Sequence, residues 1–198
     1  MLGNAAVVMW WDVAPEMRAE WEHWHTREHM PERLAIPGFL RGTRWIAVSG
    51  APSYFVLYEV AQLATLTGGA YLDRLNNPTP WSRKMMPHHR NMVRSLCVRR
   101  EGWGGGVPHV LATIRFSPTS DSTRLPRGPG LTGAHLLQSQ PMPGTPTAEQ
   151  KIRGGDATAD WVMLIGGYDV EAVTKSAMAE GIVGVYRPAY SLSAGEIA

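Results

Sequence analysis

Several features are scarce in this chain of 198 residues, and each scarcity excludes a class of protein. A single cysteine, Cys97, excludes an intramolecular disulfide framework and indicates a reducing compartment. No apolar run approaches the roughly 18 residues of a membrane-spanning helix. No basic residue precedes the first apolar run, which Asp12 interrupts, so this run predicts a strand rather than a signal peptide. We therefore expect a cytoplasmic protein with no membrane partner.

Charge is scarce as well. Charged residues make up 18% of the chain and the net charge is +2, which is too small for a general nucleic-acid binder. We therefore expect no nucleic-acid partner. Hydrophobic residues make up 44% of the chain, a value typical of globular proteins. The length allows one substantial core or two tightly fused halves.

Hydrophobic periodicity and turn residues predict the element order β-α-β-β-α-β in the first half, which is the order of a ferredoxin-like unit. The predicted strands are 7–13, 41–48, 54–60 and 92–100, and the predicted helices are 15–35 and 63–75, with a further helical turn or two at 81–91. After a glycine-rich linker the order recurs in degraded form. The predicted elements there are strands 109–116, 131–138, 161–168 and 183–190 and a helix at 171–181.

The second half lacks the first helix of the unit. Its place is taken by 117–130, whose three prolines cannot sit inside a long helix. We predict an α+β fold of two fused ferredoxin-like halves, 1–103 and 107–198. Seven of the eight tryptophans lie at or before Trp103. We therefore assign the site to the first half and a scaffold role to the second.

The segment 21–39, WEHWHTREHMPERLAIPGF, carries the strongest functional signal. A helix is expected to start near Pro15 and to stop at Pro37-Gly38. Helical spacing places five of its side chains on one face: Trp21, His25, Glu28, His29 and Glu32. A face that carries both tryptophan and titratable groups suits the wall of a pocket with a polar floor.

His29 is the first candidate for catalysis, because imidazole titrates near neutral pH and His25 and Glu28 lie close enough to tune it. The alternative is a structural histidine bonded to a neighbouring carboxylate. Residues 25–29 also match H-x-x-E-H, a zinc-protease pattern in which two histidines chelate one ion. Pro31 follows almost at once and no third ligand is apparent, so we expect no metal.

The segment 81–100 has six Lys or Arg residues and no acid. It predicts either a basic lip that holds a carboxylate or phenolate, or a solvated basic face. Tyr58 is a phenolic donor or a packing residue, and Cys97 is an inert buried thiol. The predicted substrate-binding residues are Trp24, Arg33, Tyr58, Trp81, His88, His89 and Arg90.

The motifs HTREHMPERL, IPGFLRG and YLDRLNNPTPWSRKMMPHHRN resemble the dimeric α+β-barrel superfamily, especially its EthD-like branch. The resemblance covers roughly residues 5–100. It implies that the two halves form an intramolecular version of the dimeric barrel, with His29 as the helix-borne histidine ahead of the Pro37-Gly38 exit. The superfamily includes cyclases, isomerases, decarboxylating enzymes, cofactor-free monooxygenases and haem proteins, so the resemblance favours no single reaction.

We expect an enzyme without a cofactor that acts on a small aromatic or polyketide-like acid by proton transfer, as a lyase, isomerase or cyclase. His29 would be the base or acid, and Arg33 or Arg90 would hold the anionic group. Two alternatives stay open. One is a protein that binds such a ligand without catalysis. The other is a haem protein with His29, His88 or His89 as axial ligand. A homodimer is also left open.

Overall fold

The computed structural model of the protein describes residues 1–48, 52–117, 124–142, 144–178 and 181–197. The strands are β1 (Ala5–Val13), β2 (Phe39–Ala47), β3 (Tyr54–Val60), β4 (His89–Gly104), β5 (Val110–Phe116), β6 (Leu131–Gln140), β7 (Trp161–Gly167) and β8 (Ile182–Ser193). The helices are α1 (Arg18–Trp24), α2 (Met30–Leu34), α3 (Leu63–Thr67), α4 (Gly69–Asn76), α5 (Pro80–Met85), α6 (Ala148–Arg153) and α7 (Val170–Ser176).

The eight strands form one closed antiparallel barrel in the order β1-β3-β2-β8-β5-β7-β6-β4. Within the first half the neighbours run β4-β1-β3-β2, and within the second half they run β8-β5-β7-β6. The strand order is therefore the same in both halves. The edge strands close the barrel, because β2 pairs with β8 and β4 pairs with β6. The predicted α+β class is confirmed.

Strand β1 illustrates why its sequence is apolar almost throughout. Ala6, Val8 and Trp10 belong to the core inside the barrel, whereas Val7 and Trp11 pack outward beneath helices. A strand that is buried on both faces reads as a continuous apolar run rather than as an alternating one. A third core lies on the outer face of the second half, beneath α7.

The long helix begins at Pro15, as predicted, and runs to Leu34 through a 3-10 turn, α1, a π-helical turn at His25–His29 and α2. In the π-turn the N–H of Met30 bonds to the carbonyl of His25, five residues back. The proline after Met30 explains this widening. Pro31 has no N–H, and its ring would meet the carbonyl four residues before it. Such turns are frequent at functional sites.

Other boundaries differ from those predicted. The predicted helix 63–75 is broken at Gly68, whose backbone is extended, into α3 and α4. Strand β4 begins at His89 rather than at residue 92, so this histidine sits on a strand. Helix α6 was not predicted. Part of the predicted irregular stretch, 118–123, lies outside the described residues, and 124–130 contains no helix.

No helix in the described ranges has the length and apolarity that a bilayer crossing requires.

Candidate functional site

A buried cavity lies between the outer face of the first-half sheet, the π-turn and α6. We call it the helix-side cavity. Its free volume is about 30 Å³, which is room for about two water molecules. Its lining residues are Met9, Trp11, Trp24, His25, His29, Arg33, Tyr58, Tyr71, Leu75, Met86, His89, Met92, Arg94, Glu149 and Arg153. Both halves of the chain contribute to this wall, because the last two residues come from α6.

The π-turn brings two histidines to the cavity, with ring centroids 5.6 Å apart. His25 stacks on Trp21 and His29 packs on Trp24, at centroid distances of 4.9 and 4.6 Å. Burial holds the pKa of both histidines well below the usual range, and the charges of Arg44 on His25 and Arg33 on His29 lower it further. Both rings are therefore neutral at neutral pH.

The hydrogen bonds of the three histidines distinguish their roles. Nε2 of His89 accepts from Nε1 of Trp21 at 2.7 Å. Indole nitrogen is a donor only, so neutral His89 carries its proton on Nδ1. Nδ1 of His25 faces the permanent donor Nη1 of Arg44 at 3.5 Å, which puts its proton on Nε2.

No donor of this kind engages His29, whose Nδ1 is buried without a partner in the described part of the chain. The tautomer of His29 is therefore not fixed by a neighbour. Of the three histidines, it is the one best placed to accept a proton.

Arginine charges dominate the cavity, and most of them are paired. Arg33 forms a buried ion pair with Glu149, which lies 3.6 Å from Arg153. Arg153 in turn binds Asp156 with two hydrogen bonds, at 2.8 and 3.0 Å. Burial lowers the pKa of Arg33, but Glu149, together with Tyr71 and Tyr58, outweighs it and the net shift is upward. Arg33 therefore stays charged beside His29.

Five buried polar atoms of the lining residues have no hydrogen-bond partner among the described residues. They are Nε1 of Trp11, Nδ1 of His29, Nη1 of Arg33, the hydroxyl of Tyr58 and Nδ1 of His89. A buried polar atom without a partner costs roughly 1–3 kcal/mol, and native proteins contain few of them. All five belong to residues that line one cavity, which indicates a site where a polar ligand supplies the missing hydrogen-bond partners.

A second cavity with a free volume of about 30 Å³ lies inside the barrel, and it is a weaker candidate. Its carboxylate, Glu59, is satisfied by Nε of Arg41 at 2.5 Å and by the backbone N–H of Leu2 at 2.7 Å. Burial lowers the pKa of its histidine, His135, to about 4. Two of its lining residues, Trp45 and His135, have unpaired buried atoms, against five in the helix-side cavity.

The structure brings six of the ten predicted site residues into the helix-side cavity: Trp24, His25, His29, Arg33, Tyr58 and His89. Four lie outside its wall. Glu28 accepts from Trp24 and Thr79, at 3.1 and 2.6 Å, and holds α5 to the long helix. Trp81 packs on His23.

His88 ends the 3-10 turn that precedes β4. Arg90 is exposed and donates to the carbonyls of Pro87 and His89. The basic lip expected over Trp81 is therefore not part of this cavity.

Sequence reasoning missed three charged residues of the wall, although signals for them exist. Glu149 and Arg153 lie on α6, which begins with a capping box between Thr147 and Gln150. Arg94 lies between Met92 and Leu96 on the outward face of β4, and a charge on an otherwise apolar face indicates a buried polar site.

Within the described ranges, no group of three or more His, Cys, Asp or Glu side chains is arranged to hold a metal ion.

Comparison with known proteins identifies the fold. No family model matches the sequence, and no curated protein matches it significantly. An anthrone oxidase-like protein superposes with a TM-score of 0.58 at 9% identity, over 98% of this chain and 94% of that chain. A monooxygenase-like protein of Fusobacterium nucleatum superposes with 0.54 at 8% identity, over 98% and 96%. Another, from Lactobacillus acidophilus, superposes with 0.53 at 8% identity, over 96% and 97%. These solved structures share the barrel fold of this chain along its whole length.

Proposed function

We propose that the protein is a small-molecule enzyme that removes a proton from an aromatic, weakly acidic substrate in the helix-side cavity, with His29 as the base. The observation that carries the proposal is that five residues lining one cavity each have a buried polar atom without a partner in the described part of the chain. Four of these unpaired groups can donate a hydrogen bond, namely those of Trp11, Arg33, Tyr58 and neutral His89. The fifth residue, His29, is free to accept a proton. Four donors and one base suit a substrate rich in oxygen.

The proton transfer follows from these roles. His29 takes a proton from a carbon that is conjugated with a carbonyl, as the methylene carbon of anthrone is through its aromatic rings, which leaves an imidazolium and an enolate. The donors of Arg33 and Tyr58 stabilise the oxygen on which the negative charge develops, as an oxyanion hole does. In the free protein, burial and Arg33 disfavour a charged His29. The new enolate offsets that cost, because opposite charges attract strongly in a site that excludes water.

The enolate has several possible fates. Reprotonation at another atom gives an isomerase, loss of a leaving group a lyase, and attack on a second carbonyl a cyclase. The names of the structural neighbours add a fourth, in which the carbanion reacts with O₂. For anthrone as a probe, the balanced reaction is anthrone + O₂ → anthraquinone + H₂O. All four reactions share the step assigned to His29.

The free volume of about 30 Å³ requires the wall to move when an aromatic ring enters. Met9, Met86 and Met92 line the cavity, and unbranched methionine side chains change rotamer readily. Haem fits the cavity less well. A porphyrin is far larger than an aromatic acid. Of the candidate axial ligands, His88 lies outside the cavity wall, and the ring nitrogen of His89 that Trp21 leaves free carries a proton and cannot bind iron. We therefore do not propose a haem protein.

The decisive experiment separates proton abstraction from any later step. Anthrone is incubated with the protein in D₂O without oxygen, and exchange of its methylene protons is followed by NMR. His29→Gln should exchange roughly 10²–10⁴-fold more slowly than the native chain. His23→Gln, which changes an exposed histidine of the same helix, is the matched control. Oxygen uptake after air is admitted then tests the oxidative fate.

Two results would contradict the proposal. Full exchange by His29→Gln would show that this histidine is structural. Quenching of tryptophan fluorescence by anthrone with no exchange by the native chain would favour the alternative of a binding protein.

We extend the proposal to the origin of the barrel, to the family branch and to the location of the protein. The repeated strand order supports two fused ferredoxin-like halves, 1–103 and 107–198, as an intramolecular version of the dimeric α+β barrel. The position of His29 on the long helix supports a place in the EthD-like branch. The single cysteine supports a cytoplasmic location.

A further inference from the structure

Arg94 lies at the junction of two cavities. It lines the helix-side cavity and also an outer pocket between β4, the end of β6 and α6, whose free volume is about 160 Å³. Ser139, Gln140 and Gln150 give this outer pocket a polar wall, and the one acidic residue among its lining residues, Asp156, is bound by Arg153. The outer pocket thus offers several times the space of the inner one, and Arg94 faces both.

Arg94 is a buried cation without a carboxylate. Its exposure is 6%, yet it forms no ion pair with any described residue. Nη2 donates to the hydroxyl of Tyr71 at 2.7 Å, and Nη1 reaches only the thioether of Met142, at 3.9 Å. A buried charge without a counter-charge is unfavourable, so proteins rarely retain one without a function.

We propose that Arg94 and Tyr71 form the subsite for the carboxylate of the substrate, which is an aromatic carboxylic acid that enters through the outer pocket. The aromatic head then lies in the helix-side cavity, and this part of the inference rests on the function proposed above. Since the Tyr71 oxygen accepts from Arg94, its own hydrogen is free to donate to one carboxylate oxygen. The weak thioether contact of Met142 gives way to a charge-assisted hydrogen bond from Nη1 to the other.

The other arginines are poorer candidates. Arg33 is already neutralised by Glu149, and Arg153 is bound by Asp156. Arg90 points to solvent with its donors on backbone carbonyls. Arg94 is therefore the arginine of the cavity wall whose charge a substrate can best neutralise.

The test compares anthrone with its 2-carboxylate, both in fluorescence quenching and in anaerobic proton exchange. The native chain should bind the acid more tightly than anthrone. Arg94→Gln should weaken acid binding by about 10-fold to 150-fold, the usual worth of a hydrogen bond to a charged group, and should remove the preference for the acid over anthrone. Arg94→Lys should recover part of the preference. Arg100→Gln, an exposed arginine of the same strand, is the control.

Stability separates a binding role from a structural one. Removal of an unpaired buried charge should leave the thermal midpoint of Arg94→Gln unchanged or raise it. A lower midpoint with equal loss of both probes would overturn the subsite, as would a native chain that does not prefer the acid. If neither probe exchanges protons while acid binding still depends on Arg94, the subsite stands and the proposed catalysis fails.

Discussion

The two halves of the barrel have the same strand order, but the side chains on their outer faces differ: one face is aliphatic and the other is rich in polar and charged groups. On the second half, the core beneath α7 is built largely from Val, Ile, Leu and Ala, including Val110, Ile114, Ile165 and Val173. On the first half, the layer beneath the long helix encloses three histidines, three arginines, two tyrosines and a glutamate around a cavity. An apolar layer evidently suffices to cover such a sheet, so the polar cluster of the first half is not a requirement of the fold.

The two faces should also contribute differently to the free energy of folding. Aliphatic side chains gain free energy by burial alone, whereas each buried charge must be compensated by a partner. On the first-half face Arg33 and Arg153 share Glu149, Arg153 also binds Asp156, and several polar atoms have no partner among the described residues. Substitutions on the two faces should therefore act through different physical terms.

The largest effect is expected at the ion pair. Glu149→Gln leaves Arg33 as an uncompensated buried charge and should lower the free energy of unfolding by about 3–5 kcal/mol, measured by urea titration. Removal of both charges in Arg33→Met/Glu149→Leu should restore much of this stability. A single variant as stable as the native chain would mean that the pair is not enclosed in solution.

Truncation of a side chain on the apolar face should lower the free energy of unfolding by nearly as much, but it should not affect ligand binding. Ile165 is fully buried beneath α7, so Ile165→Ala should cost about 2–4 kcal/mol from lost transfer energy and an unfilled cavity. Quenching of tryptophan fluorescence by an aromatic acid should not change. A change in ligand affinity would show that the two faces are energetically coupled and would break the comparison.

The polar face should also make the protein sensitive to acid. Burial lowers the pKa of His25 and His29 in the folded state, so below about pH 6.5 the unfolded chain binds more protons than the folded one. Stability is then full above that pH and falls as the pH decreases, by about 1.4 kcal/mol per pH unit for each histidine. His29→Gln should remove one such contribution from urea titrations between pH 7.5 and 5.5. An unchanged slope would contradict the burial of this ring.

The smallest loss of stability is expected at Thr79, whose polar contacts hold helix α5 and do not line the cavity. Thr79 caps α5 by accepting from the N–H of Ser82 at 3.0 Å, and it donates to Glu28. Thr79→Ala should cost about 1 kcal/mol, the usual worth of an N-cap. Proton exchange of anthrone should be unaffected. A large loss of exchange would place Glu28 in catalysis, as its spacing to His29 first indicated.

Local patterns predicted the framework of the molecule well, because they reflect short-range physics. The β3 strand is found at 54–60 as expected, and the long helix begins at Pro15. The π-turn could not be foreseen. Its cause, Pro31, is visible in the sequence, but the response of the helix depends on its packing against the sheet.

The composition of the site was harder to predict than the fold. Arg33 and Glu149 are 116 positions apart, and no local signal links them. The sequence signal at Arg94, a charge between two apolar residues, becomes informative only when Met92 and Leu96 are known to lie on the outer face of the barrel, beneath the helices. Of the six Lys and Arg residues in the basic segment 81–100, one lines the cavity, namely Arg94, whereas the predicted Arg90 faces solvent.

One chain supplies all eight strands of the barrel, and this determines how many sites each molecule carries. In a barrel assembled from two identical chains, every substitution appears twice and both outer faces must remain alike. Here the two faces differ in sequence, so one carries histidines and arginines while the other has an aliphatic core. Each molecule then presents one site of this kind, and titration with ligand should saturate at one equivalent per chain.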